Sequence, residues 1–327
     1  MVLTLALGAA EALARALPAR AAYALADLGG GLWHRSSPAR RAVVEENLRR
    51  VCAATRRPTH GRAFDRLVRR AFVEHARYYL ELLRAPHYPL ERVGRHVEAE
   101  RWEYWRDVLA RGAVLATPHL GNFEPCGILL ASAGITGVAP VEEIRPRELF
   151  EFMRRRRGAG RSVEVIPLAR SRRRLAETLR RGQIVALVAD RDLSGDGVPV
   201  QLFGHPATLP TGPAFLALAT GAPLVAVSCL RVGRDRFHAR GWAIDVERTG
   251  NRRADIEALT RALARRFEEA IGEAPEQWWA AFQPFWPDLR ADAARRRTPP
   301  RRTAPRSSRR SSPSDHVAAA DVSAEPR

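Results

Sequence analysis

Past Ala110 the chain changes texture, and that change restricts the fold more than any other feature. Short apolar runs bounded by Gly or Pro alternate with Arg-rich amphipathic stretches. The runs at 113–117, 163–167, 184–189, 223–230 and 237–246 read as strands, and 124–133, 146–157, 172–181, 212–220 and 253–271 read as helices. Alternation of this kind predicts an α/β architecture, a sheet layered by helices. Upstream, residues 38–83 are charged and amphipathic. Asn47, Leu48 and Val51, then Phe64, Leu67, Val68, Phe72 and Tyr79, recur at helical spacing and predict two or three N-terminal helices. No internal repeat is visible.

The 327 residues carry 54 basic against 36 acidic side chains, and every basic one is Arg. Part of the +18 charge falls at the C-terminus, where 291–327 holds nine Arg, five Pro and six Ser with no aromatic residue. Such a segment cannot bury enough apolar surface to offset its ordering entropy, so it reads as a disordered basic tail. The body before it is still basic, which favours an anionic partner: a phospholipid surface, a nucleic acid or a phosphorylated cosubstrate. Cys52, Cys126 and Cys229 are widely spaced and odd in number, which makes neither a disulfide framework nor a zinc cluster and fits a reducing compartment.

Residues 1–36 are rich in Ala and Leu but are interrupted by Glu11, Arg15, Pro18 and Arg20, too often for a membrane span of about 20 apolar residues. Arg15 and Arg20 follow the apolar run, whereas a secretory signal places its positive charge first. The remaining readings are an amphipathic helix lying in a membrane interface, with Leu3, Leu5, Leu13 and Leu17 in the lipid and the two Arg reaching out of it, or an ordinary helix packed on the body. The predicted organisation is a docking helix at 1–36, a catalytic body at 37–290 and the tail at 291–327.

Chemistry concentrates where the first strand ends, in Thr117-Pro118-His119-Leu120-Gly121-Asn122-Phe123-Glu124-Pro125. Gly121 permits a tight turn, and Pro125 is well placed to open a helix. His119 and Glu124 then lie at the carboxyl edge of the sheet, where ligands bind in open α/β folds, beside helix amides able to hold an oxyanion or phosphate. A histidine oriented by a carboxylate suits general-base deprotonation of an alcohol. A chance His in an ordinary turn fits the same residues. The His-x4-Glu spacing is not that of a zinc protease, no third metal ligand is apparent, and no Gly-x-Ser-x-Gly elbow is present. Cys126 reads as core.

These residues resemble the lipid A biosynthesis lauroyl/myristoyl acyltransferase family, whose actinobacterial branch includes the phosphatidylinositol mannoside acyltransferases. The segment 141–150, the run Ala189-Asp190-Arg191-Asp192-Leu193-Ser194-Gly195 with Leu202-Phe203-Gly204 after it, Thr220-Gly221-Ala222-Pro223, and the Trp-rich end around Trp278-Trp279 are similar to the same family. In order along the chain they span about 47–289. The Pro-Glu-Gly-Thr segment of glycerophosphate acyltransferases is missing.

The resemblance implies a glycerolipid-acyltransferase-like mixed sheet flanked by helices. It also implies an O-acyltransferase that moves an acyl group from acyl-CoA or acyl carrier protein to a hydroxyl of a membrane glycolipid. In that reading His119 is the base and Glu124 its orienting partner. Asn122, Glu142, Arg191 and Asp192 are expected at the substrates, although Asn122 also fits a turn-positioning role. Arg191 also fits a salt bridge with Asp190 or Asp192, and Glu142 a surface acid beside Arg145. The acyl thioester is the sole cosubstrate, with no metal or redox cofactor. The partners are inner-leaflet anionic phospholipids and the glycolipid acceptor, which places the enzyme at the cytoplasmic face of the plasma membrane as a peripheral or monotopic protein. Lipid A-type and lysophospholipid acceptors are the alternatives within the class. The alternative of another class is a basic nucleic-acid- or membrane-binding protein without turnover, but no nucleic-acid-binding fold is signalled, and no nucleic-acid partner is expected.

Overall fold

The structure, a computed structural model, describes residues 2–158, 162–169 and 171–291. The basic tail from 292 onward lies outside them.

Four helices open the chain: α1 (Val2–Ala16), α2 (Ala19–Ser36), α3 (Pro38–Ala54) and α4 (Gly61–Arg84). The segment read as one docking helix is therefore two, because Pro18 has no N–H with which to continue α1. Pro38, whose fixed φ suits a first helical position, starts α3. Phe64, Val68 and Phe72 recur every four residues on α4 and are buried. Helix α2 lies against α4 closely enough that a Cβ on Gly30 would come within 2.6 Å of the Val73 Cα.

The body follows as β1 (Val97–Ala99), α5 (Trp102–Leu109), β2 (Val114–Thr117), α6 (Glu124–Ser132), β3 (Gly137–Val141), α7 (Arg147–Gly158), β4 (Val163–Pro167), α8 (Arg172–Arg180) and β5 (Ile184–Val188). Then come β6 (Val198–Leu202), β7 (His205–Leu209), α9 (Gly212–Thr220), β8 (Leu224–Gly233), β9 (Arg236–Ile244) and α10 (Arg252–Glu273). Seven strands form one mixed sheet in the order β1-β9-β8-β2-β5-β3-β4, in which β9 runs antiparallel to β8 and the other pairings are parallel. Strands β6 and β7 form a separate hairpin.

Strand β2 is buried along its whole length, as expected of a central strand covered on both faces. Val114 and Ala116 join Leu48, Phe72, Leu263 and Trp286 in the main core, under α3, α4 and α10. Leu115 faces the opposite layer, where Trp105 of α5 and Leu130 of α6 cover it. The Trp-rich segment packs into the main core, with Trp278 and Trp286 fully buried. Among the described residues no helix is long and apolar enough to cross a membrane.

Candidate active site

Strands β2 and β5 are parallel neighbours with Thr117 opposite Val188. Each chain leaves its strand at the same edge, so the second residue beyond each end, His119 and Asp190, meets the other. His119 Nδ1 lies 2.5 Å from Asp190 Oδ1. The His119 backbone N–H donates to Asp190 Oδ2 at 3.0 Å, and Trp278 Nε1–H donates to the same oxygen at 3.0 Å. Asp190 is fully buried. Burial works against its charge, but the positive charge available on His119 and the hydrogen bonds from His119 and Trp278 hold the carboxyl below its ordinary range. An ionised carboxylate only accepts hydrogen bonds, so Nδ1 carries the proton and Nε2 is left as the basic nitrogen.

The turn carrying His119 is held on all sides. Gly121 N–H donates to Gln277 O at 3.0 Å, Asn122 N–H to Cys229 O at 2.9 Å, and Trp279 N–H to His119 O at 2.9 Å. Gly121 has φ +60°, and a Cβ there would meet the Cys229 carbonyl, with the carbonyl carbon at 2.9 Å. Gly121→Ala is therefore expected to destabilise the protein by about 3 kcal/mol or more, from a left-handed backbone and a backbone clash together. Chemical unfolding reads this directly, and a variant as stable as wild type would show that the turn has another conformation available.

The other predicted residues separate into groups. Asn122 is fully buried, with its Nδ2 donating to Glu81 Oε2 at 2.9 Å and its Oδ1 accepting from Glu124 N–H at 3.0 Å. Its amide is spent inside the protein, where it holds the turn. Asp192 is likewise committed. It accepts from the N–H groups of Ser194, Gly195 and Gly197 at 3.1, 2.9 and 3.0 Å, which outweigh its burial and hold its carboxyl low. It organises the loop after β5.

Arg191, between these two acids, is half-buried and pairs with neither: among the described residues it has no hydrogen-bond or ion-pair partner. Glu142 is exposed just past β3, at the same sheet edge but two strands from β2. Glu124 is the first residue of α6 and half-buried. The carboxylate at His119 Nδ1 is Asp190, which comes from the neighbouring strand across the sheet. The expected amide donors are also largely engaged: Gly121, Asn122 and Glu124 N–H have protein partners, and Pro125 has none to offer.

Beside the turn lies an almost wholly apolar cavity between the sheet and helices α5 and α6. Thr117, Phe123 and Cys126 line the end next to the turn, and Trp105, Leu109 and Gly241 are among its remaining lining. The Trp279 ring stands edge-to-face with His119 at 5.2 Å and stacks on Phe123 at 5.9 Å. A histidine base with its tautomer fixed, next to a slot for hydrocarbon, suits attack by a hydroxyl on an activated fatty acyl group.

Residues 2–286 match the family model of the bacterial lipid A biosynthesis acyltransferases. The chain belongs to this family. It is 34% identical over 230 residues to the phosphatidylinositol mannoside acyltransferase of Mycolicibacterium smegmatis, covering 68% of this chain and 73% of that protein. It is also 34% identical over 232 residues to the phosphatidylinositol mannoside acyltransferase of Mycobacterium tuberculosis H37Rv, covering 68% and 71%. As a member of the lipid A biosynthesis acyltransferase family the protein is an acyltransferase, and the α/β fold with N-terminal helices agrees with that membership.

Proposed function

We propose that this acyltransferase moves a fatty acyl group from a thioester of coenzyme A or acyl carrier protein to a hydroxyl of a glycolipid, a phosphatidylinositol mannoside, at the cytoplasmic face of the plasma membrane. The observation that carries this reading is the His119–Asp190 pair beside an apolar cavity. His119 Nε2 takes the proton of the acceptor hydroxyl as its oxygen attacks the thioester carbonyl carbon. The C–S bond breaks, and the imidazolium returns the proton to the departing thiolate. Asp190 stabilises the imidazolium while it lasts. Glu124, at the start of α6 five residues after His119, and Glu142, just past β3 at the same sheet edge, are the further carboxylates assigned to the site.

The acceptor preference comes from the relatives' names. Docking of α1 and α2 on lipid is supported by their surfaces: Leu5, Leu13, Leu25, Leu28 and Leu32 are each more than half exposed, and Arg15 and Arg20 are exposed beside them. Leu25, Leu28 and Leu32 recur at three and four residues, which sets them on one face of α2 for an interfacial position.

The test is turnover of palmitoyl-CoA and of palmitoyl-carrier protein on vesicles containing phosphatidylinositol mannosides, a lipid A precursor or a lysophospholipid, read by mass spectrometry. Acylated mannoside is expected. Acylation of another acceptor alone would reassign the substrate, and no acylated lipid with any donor would overturn the reading.

Arg191 supplies a second check. A half-buried guanidinium without an acidic partner, one residue from Asp190, is suited to a phosphate of the donor or acceptor. Arg191→Met is expected to raise the KM for that phosphate-bearing substrate about tenfold with kcat changed by less than about threefold, the size of one charge-assisted hydrogen bond. Unchanged KM values for both substrates would remove Arg191 from the site.

A further inference from the structure

A buried charge cluster lies behind the His119 turn, and neither the base nor the acyl cavity requires it. Arg231 of β8 ion-pairs with Glu74 and Glu81 of α4, and all three are less than one-tenth exposed. Replacing such a cluster by apolar residues of similar volume is often neutral or stabilising, so its presence is weak grounds for a stability role. What it does contribute is direction, because a carboxylate held by a guanidinium has fixed lone pairs to offer.

Those lone pairs connect two distant parts of the chain. Glu81 Oε2 accepts from Asn122 Nδ2 at 2.9 Å, and Glu81 Oε1 accepts from Tyr23 OH of α2 at 2.6 Å. Asn122 in turn holds the first N–H of α6, three residues after His119. The other side of the turn leads back to the same cluster. Gly121 N–H donates to Gln277 O, and the Gln277 side chain exchanges two hydrogen bonds with the Arg231 backbone, at 2.8 and 2.9 Å. Helix α1 is tied in as well, since Arg84 donates to Ala14 O at 2.6 Å and pairs with Asp235, whose backbone N–H donates to the Tyr23 hydroxyl oxygen at 2.9 Å.

We infer that Glu81 is a positioning residue for the His119 turn, and that α2 sets the turn through the Tyr23–Glu81–Asn122 chain. Tyr23 is fully buried, and its hydroxyl bonds Glu81, not the turn itself. Its hydroxyl adds a third hydrogen bond to the Glu81 carboxylate that Arg231 already holds through Nε and Nη2, Glu81 holds the Asn122 amide, and Asn122 holds the first N–H of α6. The consequence for catalysis rests on His119 acting as base, as in the proposed function, whereas the mechanical link does not.

The experiment separates the two. Tyr23→Phe keeps the ring and deletes one hydroxyl. Amide hydrogen exchange of the full chain is measured on peptides covering 119–124, whose N–H partners include Asp190 Oδ2, Gln277 O, Cys229 O and Asn122 Oδ1. The expected result is roughly tenfold faster exchange in these peptides, with β2, β5 and α10 unchanged. In the acyl-transfer assay kcat is expected to fall about fivefold to tenfold with both KM values within about twofold. That loss should disappear when Tyr23→Phe is added to Asn122→Ala, because the chain is already cut.

Exchange at wild-type rates in the turn would overturn the inference, as would rate losses that multiply in the double variant. Uniformly faster exchange throughout the fold would do the same, by reducing Tyr23 to a general stabilising contact. If wild type transfers no acyl group while the exchange result holds, the positioning link stands and the proposed function falls.

Discussion

Replacement of His119 by alanine is expected to lower acyl transfer by at least about three orders of magnitude while leaving the protein folded. General-base assistance by a positioned side chain contributes about 10²–10⁴-fold, and its loss here is compounded because Nε2 is the one nitrogen of the His119–Asp190 pair left to accept a proton. The variant should fold because the turn is held by its backbone. The N–H of residue 119 donates to Asp190 and its carbonyl accepts from Trp279, and alanine keeps both bonds. The apolar cavity proposed for the acyl chain has Thr117, Phe123 and Cys126 in its lining and not the imidazole, so the donor KM should stay within about threefold. The measurement is kcat and KM on lipid vesicles beside a thermal melt. A variant retaining more than about a tenth of wild-type kcat would place the base elsewhere.

Much of this site was legible in the sequence, and the missing parts have particular causes. His119 stood out because an apolar strand ends two residues before it and a Gly and a Pro-started helix follow. Its partner did not, although Asp190 directly follows the run at 184–189. Periodicity identifies strands without ordering them, and the pairing of His119 with Asp190 exists only because β5 lies next to β2. Glu124 drew the assignment by being near in sequence, but α6 begins at that residue and Nδ1 was already taken.

The hairpin of β6 and β7 was hidden for a different reason. Its two-residue turn is Phe203-Gly204, both at positive φ, where a turn of this kind ordinarily shows Asn-Gly, and each strand contains a proline. A two-stranded ribbon tolerates Pro199 and Pro206 because each strand has an unpaired edge. Strand β3 was similarly masked by Gly137 and Pro140.

The N-terminal helices illustrate the limit of local pattern in the opposite sense. Leu and Ala at amphipathic spacing were readable, but 1–36 was read as one helix and the structure divides it at Pro18. Tyr23, however, is one of several aromatic residues in a helix, and nothing in its neighbourhood announces that its hydroxyl ends on Glu81, 58 positions away. Contacts of that kind depend on α2 and α4 packing closely enough for Gly30 to be required. The polar network behind the turn is thus a property of the tertiary fold, whereas His119 and Asp190 sit just beyond strand ends.

Asp190→Asn is expected to cost about 10²–10⁴ in kcat, nearly as much as loss of the histidine, with little change in either KM. The side chains are nearly isosteric and the Trp278 and backbone donors remain, so the fold should persist. An amide, however, can present N–H to Nδ1, which moves the imidazole proton to Nε2 and leaves no lone pair for the acceptor hydroxyl. It also removes the negative charge that stabilises the imidazolium formed as the hydroxyl is deprotonated.

The same substitution has a second signature in stability. Because the Asp190 carboxyl is held below its ordinary value in the folded protein, it contributes stability that is fully present above the unfolded value of about 3.9 and is lost as the pH falls through the lower folded value. Unfolding free energy measured from pH 6 down to pH 2.5 should therefore decline more steeply for wild type than for Asp190→Asn. A rate loss accompanied by that shallower acid limb identifies Asp190 as the ionised partner of His119. A variant with wild-type kcat, or with an acid limb as steep as wild type, would show that the carboxylate sets neither the tautomer nor the charge of the base.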